Sequence, residues 1–290
     1  MTGAAGVVVS ESLPVLLRAL RLPSFVAEHA VLATRAETQG WSFAQYLHAL
    51  ATQELADRVA RRTSRRHKES GLPREKTLAT LDMSRFPVAV RRLLPTLCEG
   101  DFVRRGDNVL AFGLPGRGKT HLLSALGHAL IDRGYRVLFT PTFRLVQRLL
   151  VARRELRLDA ELQKLDRFDA LILDDLGYIQ QDRDEMEVLF TLLSERYERR
   201  SVLISSNLVF SQWDRIFKDP MTTAAAIDRI VHHATILELT GSSYRADQAQ
   251  HNQPHLPPQA PAAPATTPDD KEPTTQTTSQ EQSNTINKEY

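Results

Sequence analysis

The chain has 290 residues, 42% hydrophobic and 25% charged, enough for one or two domains with a real core. Its single cysteine, Cys98, excludes an internal disulfide framework and a cysteine-built zinc site. With 37 Lys and Arg against 35 Asp and Glu, the net charge is only +2, so charge balance alone points to no nucleic-acid partner.

No apolar run approaches the roughly 20 residues of a membrane-spanning helix. The N-terminal MTGAAGVVVSESLP has no basic segment ahead of its apolar one, so no secretion signal is expected. Together with the cysteine count, this leads us to expect a cytoplasmic protein with no membrane partner.

Residues 1–70 are expected to form a small all-α domain. Leu13, Leu16, Leu17 and Leu20 recur at helical spacing. A second helix starts at Ser42, with Gln45 three positions on, the spacing of a capping box. Phe43, Tyr46, Leu47, Leu50 and Leu55 then form an apolar stripe. The aromatic set Trp41, Phe43 and Tyr46 is expected in the core rather than in a partner groove. The helix runs on into Arg58, Arg61, Arg62, Arg65, Arg66 and Lys68.

Residues 71–87 carry Gly71, Pro73 and Pro87 with little periodicity and are expected to be a linker. Residues 88–246 alternate short apolar runs with helical patterns, the mark of an α/β domain with a parallel sheet. Strands are expected at Asn108–Phe112, Arg136–Thr140, Ala170–Asp174, Val202–Ser206 and Thr235–Leu239. Helices are expected at Lys119–Arg133, Thr142–Arg154, Arg183–Arg199 and Thr222–His233. Residues 247–290, rich in Pro, Gln, Thr, Ala and Ser, lack the apolar content to offset chain entropy and are expected to be disordered.

The sharpest motif is Gly113-Leu114-Pro115-Gly116-Arg117-Gly118-Lys119-Thr120, a full G-x-x-x-x-G-K-[ST] between a strand and a helix. The glycines let the backbone fold tightly, so that its N–H groups face phosphate oxygens. The following helix contributes the positive end of its dipole, at which His121 also stands. Lys119 supplies a charge at the β- and γ-phosphates, and Thr120 offers a hydroxyl to Mg²⁺. Arg117 occupies a variable position and is expected to be solvated. ATP and Mg²⁺ are thus the expected cofactors.

The apolar run Ala170–Leu173 ends in Asp174-Asp175, at the sheet edge where ligands bind. Asp174 is expected to hold Mg²⁺ and Asp175 to orient the attacking water. One expected strand separates the two motifs in sequence. By analogy of fold, that spacing fits the ASCE division of P-loop proteins rather than simple nucleotide kinases. Asn207, closing Val202–Asn207, stands where a side chain senses the γ-phosphate; turn formation is the alternative.

The strings GLPGRGKTHL, ALILDDLGYI, ERYERRSVLISSN, FSQWDRIFKDPMTTAAAIDRIVHHA and GSSYR, with LRALRLPSF and GWSFAQYLHAL nearer the N-terminus, resemble the IstB-like transposition helper ATPases. That family is a branch of the AAA+ proteins related to the DnaC helicase loaders. The resemblance spans about residues 10 to 246; the tail has no counterpart. It implies ATP held between subunits of a homo-oligomer assembled on duplex DNA with little sequence preference, beside a cognate transposase. A helicase loader is the alternative. It also implies Arg229 as the arginine offered to a neighbour's γ-phosphate, with the Arg196, Arg199 and Arg200 group as runner-up, and Arg245 as the sensor 2 arginine. Many AAA+ proteins carry Glu where this chain has Asp175. The shorter side chain leads us to expect slow hydrolysis that DNA or transposase stimulates.

Two basic sets are candidates for phosphate contacts. The run Arg58, Arg61, Arg62, Arg65, Arg66 and Lys68 is spaced mostly to line one helix face. The second is Arg144, Arg148, Arg153, Arg154 and Arg157, on and after the helix that follows the second strand. A solvated charged face is the alternative for both. No spacing for base readout is present, so binding is expected to be sequence-tolerant and salt-sensitive. His232 and His233 stand at adjacent positions of an expected helix, which do not face each other, so no metal is expected there.

Overall fold

The structure is a computed structural model that describes residues 12–177, 183–209, 212–213, 220–240 and 243. The chain divides into two units, Met1–His251 and Asn252–Tyr290, and every described residue belongs to the first. The tail expected to be disordered lies outside the described residues.

A short helix, α1 (12–19), leads into α2 (Pro23–Gln39) and the long α3 (Phe43–Glu69). Pro23 suits the start of α2, where its missing N–H costs nothing. Gly40 ends that helix in the left-handed conformation. α3 opens on the expected capping box, with both Ser42 and Gln45 bonds formed. The stripe that α3 buries differs from the one expected. Leu50 and Glu54 are buried, and the Tyr46 hydroxyl donates to the His29 carbonyl at 3.0 Å. Phe43 is 94% exposed, and Leu47 and Leu55 also face solvent. The seam against α2 is set by a polar anchor, since Glu54 accepts the Ser24 N–H at 2.8 Å near the start of α2.

Residues 71–87 follow α3 and lie against the α/β part. The Ser70 carbonyl accepts the Phe139 N–H at 2.7 Å, and Leu72, Leu81 and Phe86 are buried in the core. α4 (Val88–Glu99) and α5 (Asp101–Arg105) then lead to the sheet.

The sheet is parallel, with five strands in the order β2-β3-β4-β1-β5. These are β1 (Asn108–Phe112), β2 (Val137–Pro141), β3 (Ala170–Leu176), β4 (Ser201–Ser206) and β5 (Ala234–Glu238). Between them run α6 (Lys119–Asp132), α7 (Thr142–Arg154), α8 (Leu158–Asp166), α9 (Arg183–Arg196) and α10 (Pro220–Val231). Side chains alternate between two apolar layers, as a sheet covered on both faces requires. Val109, Ala111, Ile172 and Leu203 pack with Leu122, Leu123 and Leu126 of α6. Leu110, Phe112, Leu171, Leu173 and Ile204 pack with Leu145 and Leu149 of α7, Leu189 of α9 and Trp213. Gly127 lets α6 sit close to the sheet, because a Cβ there would come within 2.8 Å of Ile172.

α9 ends at Arg196 rather than Arg199. Arg196 is buried and its guanidinium donates to the carbonyls of Leu165, Phe168 and Ser201 at 3.0–3.1 Å. α10 ends at Val231, so His232 and His233 lie in the turn beyond the helix, and the helical argument for keeping them apart does not apply. Among the described residues, no helix is long and apolar enough to cross a membrane.

Candidate nucleotide-binding site

The phosphate-loop sequence joins β1 to α6 at the carboxyl edge of the sheet. Its geometry depends on two glycines in particular. A Cβ at Gly113 would come within 2.6 Å of the Leu239 carbonyl oxygen, and Gly118, at φ 86, already lies beside the Phe86 ring. Lys119 is buried and its ammonium donates to the Gly113 and Leu114 carbonyls at 2.6 and 3.1 Å. The cation is therefore held inside the loop's own rim.

The two acids at the end of β3 stand beside this loop because β4 aligns them. Ser205 of β4 donates to Asp174 Oδ1 at 2.6 Å and accepts the Asp175 N–H at 2.8 Å. The β3–β4 register shifts between Leu173 and Leu176, so both acids sit on an irregularity of the strand. Asp175 has φ 58, a left-handed conformation that turns its side chain to solvent. Asp174 points inward and is hydrogen-bonded to the Thr120 hydroxyl as well as to Ser205. Burial, reinforced by the neighbouring Asp175 charge, pushes the Asp174 carboxyl up from its usual range, against the pull of the Ser205 and Thr120 hydroxyls.

A cavity of about 320 Å³ opens over the loop. Pro115 to His121, Asp175 and Asn207 all line it, so most of the residues singled out for the nucleotide site share one space, while Gly113, Leu114 and Asp174 are not part of the lining. Arg117 is half-buried rather than fully solvated, with a buried Nη1 that has no hydrogen-bond partner among the described residues. His121 reaches the far wall: Nε2 lies 3.2 Å from Thr80 Oγ1 and 3.3 Å from the Thr77 carbonyl, and burial lowers its basicity.

That far wall went unforeseen. Lys76, Thr80, Leu81, Asp82, Arg85 and Phe86, from the segment expected to be a linker, line the cavity together with Thr240. The pair of short 3₁₀ turns, Leu78–Thr80 and Met83–Arg85, folds the segment inward. The buried trio Leu72, Leu81 and Phe86 is its one sequence signal, too sparse to read as a strand or a helix.

The arginines are dispersed. Arg229 is not among the cavity residues; its guanidinium lies 4.8 Å from the Phe190 ring centroid and donates to the Ala225 carbonyl at 3.3 Å. Arg245 lies outside the described residues. The runner-up group is tied down within the chain. Arg196 is sealed in the interior, where burial pulls it down to about 10, so it cannot be offered to a neighbouring subunit. Arg199 pairs with Asp166 at 3.1 Å, and Arg200 pairs with Asp169 at 2.8 Å.

The two basic sets also separate by partner. On α3, Arg58 and Arg61 share the buried Glu54, Arg65 faces Glu69 at 3.6 Å, and Arg66 turns inward to the Gly134 carbonyl. Arg62 and Lys68 are exposed and form no ion pair among the described residues. On α7, Arg148 pairs with Glu161 and Arg153 with Glu187, while Arg144 and Arg154 are exposed. Arg157, beyond α7, pairs with Glu155.

A family model for IstB-like ATP binding proteins matches residues 15–252. The chain is 47% identical over 256 residues to a putative insertion sequence ATP-binding protein (y4iQ/y4nD/y4sD) of Sinorhizobium fredii, covering 88% of this chain and 85% of that one. It is 38% identical to the IS21 putative ATP-binding protein of Pseudomonas aeruginosa, covering 80% and 88%. Among solved structures, AMPPCP-bound DnaA from Aquifex aeolicus aligns with a TM-score of 0.50 at 18% identity, over 65% of this chain and 58% of that one. The structural likeness is one of fold, the α/β arrangement of AAA+ proteins.

Proposed function

Because the chain belongs to the IstB-like ATP-binding family, we propose that it is an ATP-hydrolysing helper of an insertion-sequence transposase. In this reading it assembles on duplex DNA in the ATP state, presents that DNA as a target and recruits the transposase. The observation that supports it best is the convergence of Lys119, Thr120, Asp175 and Asn207 on one cavity, with Asp174 hydrogen-bonded to Thr120.

In that cavity the loop amides and Lys119 receive the phosphates, and the 76–86 segment walls the nucleoside end. The Thr120 hydroxyl and Asp174 carboxylate are hard oxygen donors already drawn together, a set that fits Mg²⁺. Bound there, the ion would neutralise phosphate charge. Asp175 takes a proton from water as its oxygen bonds the γ-phosphorus, and the bond from that phosphorus to the bridging oxygen breaks, leaving ADP and phosphate. Asn207 orients the same water or the γ-phosphate. Arg229, outside its own chain's cavity, serves the adjacent subunit, which makes hydrolysis depend on assembly. Arg62, Lys68, Arg144 and Arg154 meet the DNA backbone.

The test is ATPase rate with and without duplex DNA, paired with electron microscopy of the same mixtures. Slow basal turnover, stimulation by DNA and ATP-dependent oligomers on DNA are expected. ATP-dependent assembly that survives Lys119→Ala, or a protein monomeric with every ligand, would overturn the reading. Stimulation by a replicative helicase and not by transposase would favour the helicase-loader alternative.

A further inference from the structure

The edge of the sheet opposite the nucleotide cavity brings together three side chains that the ATPase reading leaves unused. Glu198 lies in the turn between α9 and β4, and His232 and His233 in the turn between α10 and β5. Glu198 Oε1 stands 3.6 Å from His233 Nε2 and 3.8 Å from His232 Nδ1. The ligand atoms of all three residues lie within 4.8 Å of one another. The imidazole rings are 4.1 Å apart at 51°.

These separations approach the donor spacing of a tetrahedral ion. With bonds of about 2.0–2.2 Å, neighbouring ligand atoms sit roughly 3.4 Å apart. The cluster is held from beneath. Glu198 is kept at φ 55, a conformation non-glycine residues rarely adopt, and Gly106 packs so closely that a Cβ there would meet the Glu198 backbone at 3.0 Å. The Asn108 N–H donates to the His233 carbonyl at 2.7 Å, fixing the second turn to β1. Tyr197 completes the surround, its hydroxyl 2.8 Å from His232 Nδ1 and hydrogen-bonded to Glu198. An exposed ion pair is worth little and needs no such backbone constraint.

We propose that Glu198, His232 and His233 bind a divalent transition-metal ion of the zinc class, open to solvent at its remaining position. Two imidazole nitrogens and one carboxylate select such an ion over Mg²⁺, whose preference is for oxygen. The bound ion joins the turn after α9 to the turn after α10. One His232 bond to Tyr197 is given up, and Glu198 remains a partner for that phenol.

The test uses the untagged full chain, free of nucleotide, titrated with Co²⁺ and followed by visible absorption and by metal content after desalting. The expected result is saturation at one ion per chain at micromolar concentration, with the intense bands of a low-coordinate site and displacement by Zn²⁺. The double substitution His232→Ala with His233→Ala, and separately Glu198→Gln, should weaken binding about 50-fold or more, with the circular dichroism unchanged. Asp174→Asn should leave it unaltered, which separates this site from the ATP cavity. Zn²⁺ should raise the melting midpoint of the parent chain and not of the double variant. Equal Co²⁺ uptake by parent and double variant, or half-saturation only at millimolar Co²⁺, would reduce the cluster to a surface ion pair and overturn the proposal.

Discussion

Ser205 donates its hydroxyl proton to Asp174 Oδ1 across 2.6 Å, from one strand to its neighbour. The Ser205 Oγ itself accepts the Asp175 N–H, so one small side chain aligns both acids. Ser205→Ala should leave ATP affinity within about threefold and lower kcat about tenfold, at a stability cost of about 1–3 kcal/mol for the unsatisfied groups. Ser205→Thr, which keeps the hydroxyl, should restore most of the rate. Loss of the donor should also move the acid limb of the rate profile to higher pH, since Ser205 counters the upward push of burial on Asp174.

Asp174 links pH to stability with a definite sign. Its carboxyl is raised in the folded chain by burial, then by Asp175, so the native state binds that proton more tightly than the unfolded chain. Stability from this group is full below the ordinary carboxylate range and is lost as pH rises through the native value. Asp174→Asn should therefore raise the melting midpoint of the nucleotide-free protein at neutral pH. The gain should shrink as the pH falls into the carboxylate range. Thermal scans across pH check this, and a lower midpoint for the variant at neutral pH would contradict it.

Lys119→Ala removes the cation at the loop's rim. Charge-assisted hydrogen bonds are worth about 1.5–3 kcal/mol, so ATP affinity should fall roughly 10- to 150-fold, as calorimetry or a fluorescent nucleotide would measure. ATP-dependent assembly should be lost with it.

Arg229 and Asp175 provide a test of sharing between subunits. Arg229→Ala and Asp175→Asn should each be inactive alone. Mixed, they should regain a measurable fraction of the DNA-stimulated rate, because some interfaces then join an intact arginine to an intact acid. Asn tolerates the left-handed backbone at position 175, so the loss reports on chemistry rather than on folding.

Pairing ranks the basic side chains. Arg62→Ala with Lys68→Ala should flatten the salt dependence of duplex binding by up to about 0.9 in log–log slope for each phosphate no longer neutralised. Arg148→Ala should do less, because Glu161 already neutralises that guanidinium. Arg196→Met should act on stability instead, costing about 3 kcal/mol as the Leu165, Phe168 and Ser201 carbonyls lose their donor.

Much of the sheet was legible because parallel strands buried on both faces leave continuous apolar runs. Asn108–Phe112 is observed with the expected limits, and the other expected strands lie within a residue or two of those observed. The capping box at Ser42 was legible because its partners are local in sequence. What periodicity could not convey was the partner. The α3 stripe was misassigned toward Phe43 because a buried carboxylate, Glu54, fixes the seam against α2. The cavity wall at 76–86 was missed for a related reason: its few apolar residues are placed by tertiary packing against α6 and carry no repeat. The turn at His232 was hidden because a helix pattern does not mark the residue at which α10 stops.

The position of Leu81, Asp82, Arg85 and Phe86 in the cavity bears on how the molecule can be cut. A fragment beginning at Val88 would discard more than the helical N-terminal region: it would remove a side of the compartment itself and uncover the hydrophobic residues that pack on Phe86. Since the Ser70 carbonyl pins this stretch to β2 through Phe139, a fragment that keeps the compartment whole must include Ser70, the residue that caps the basic helix.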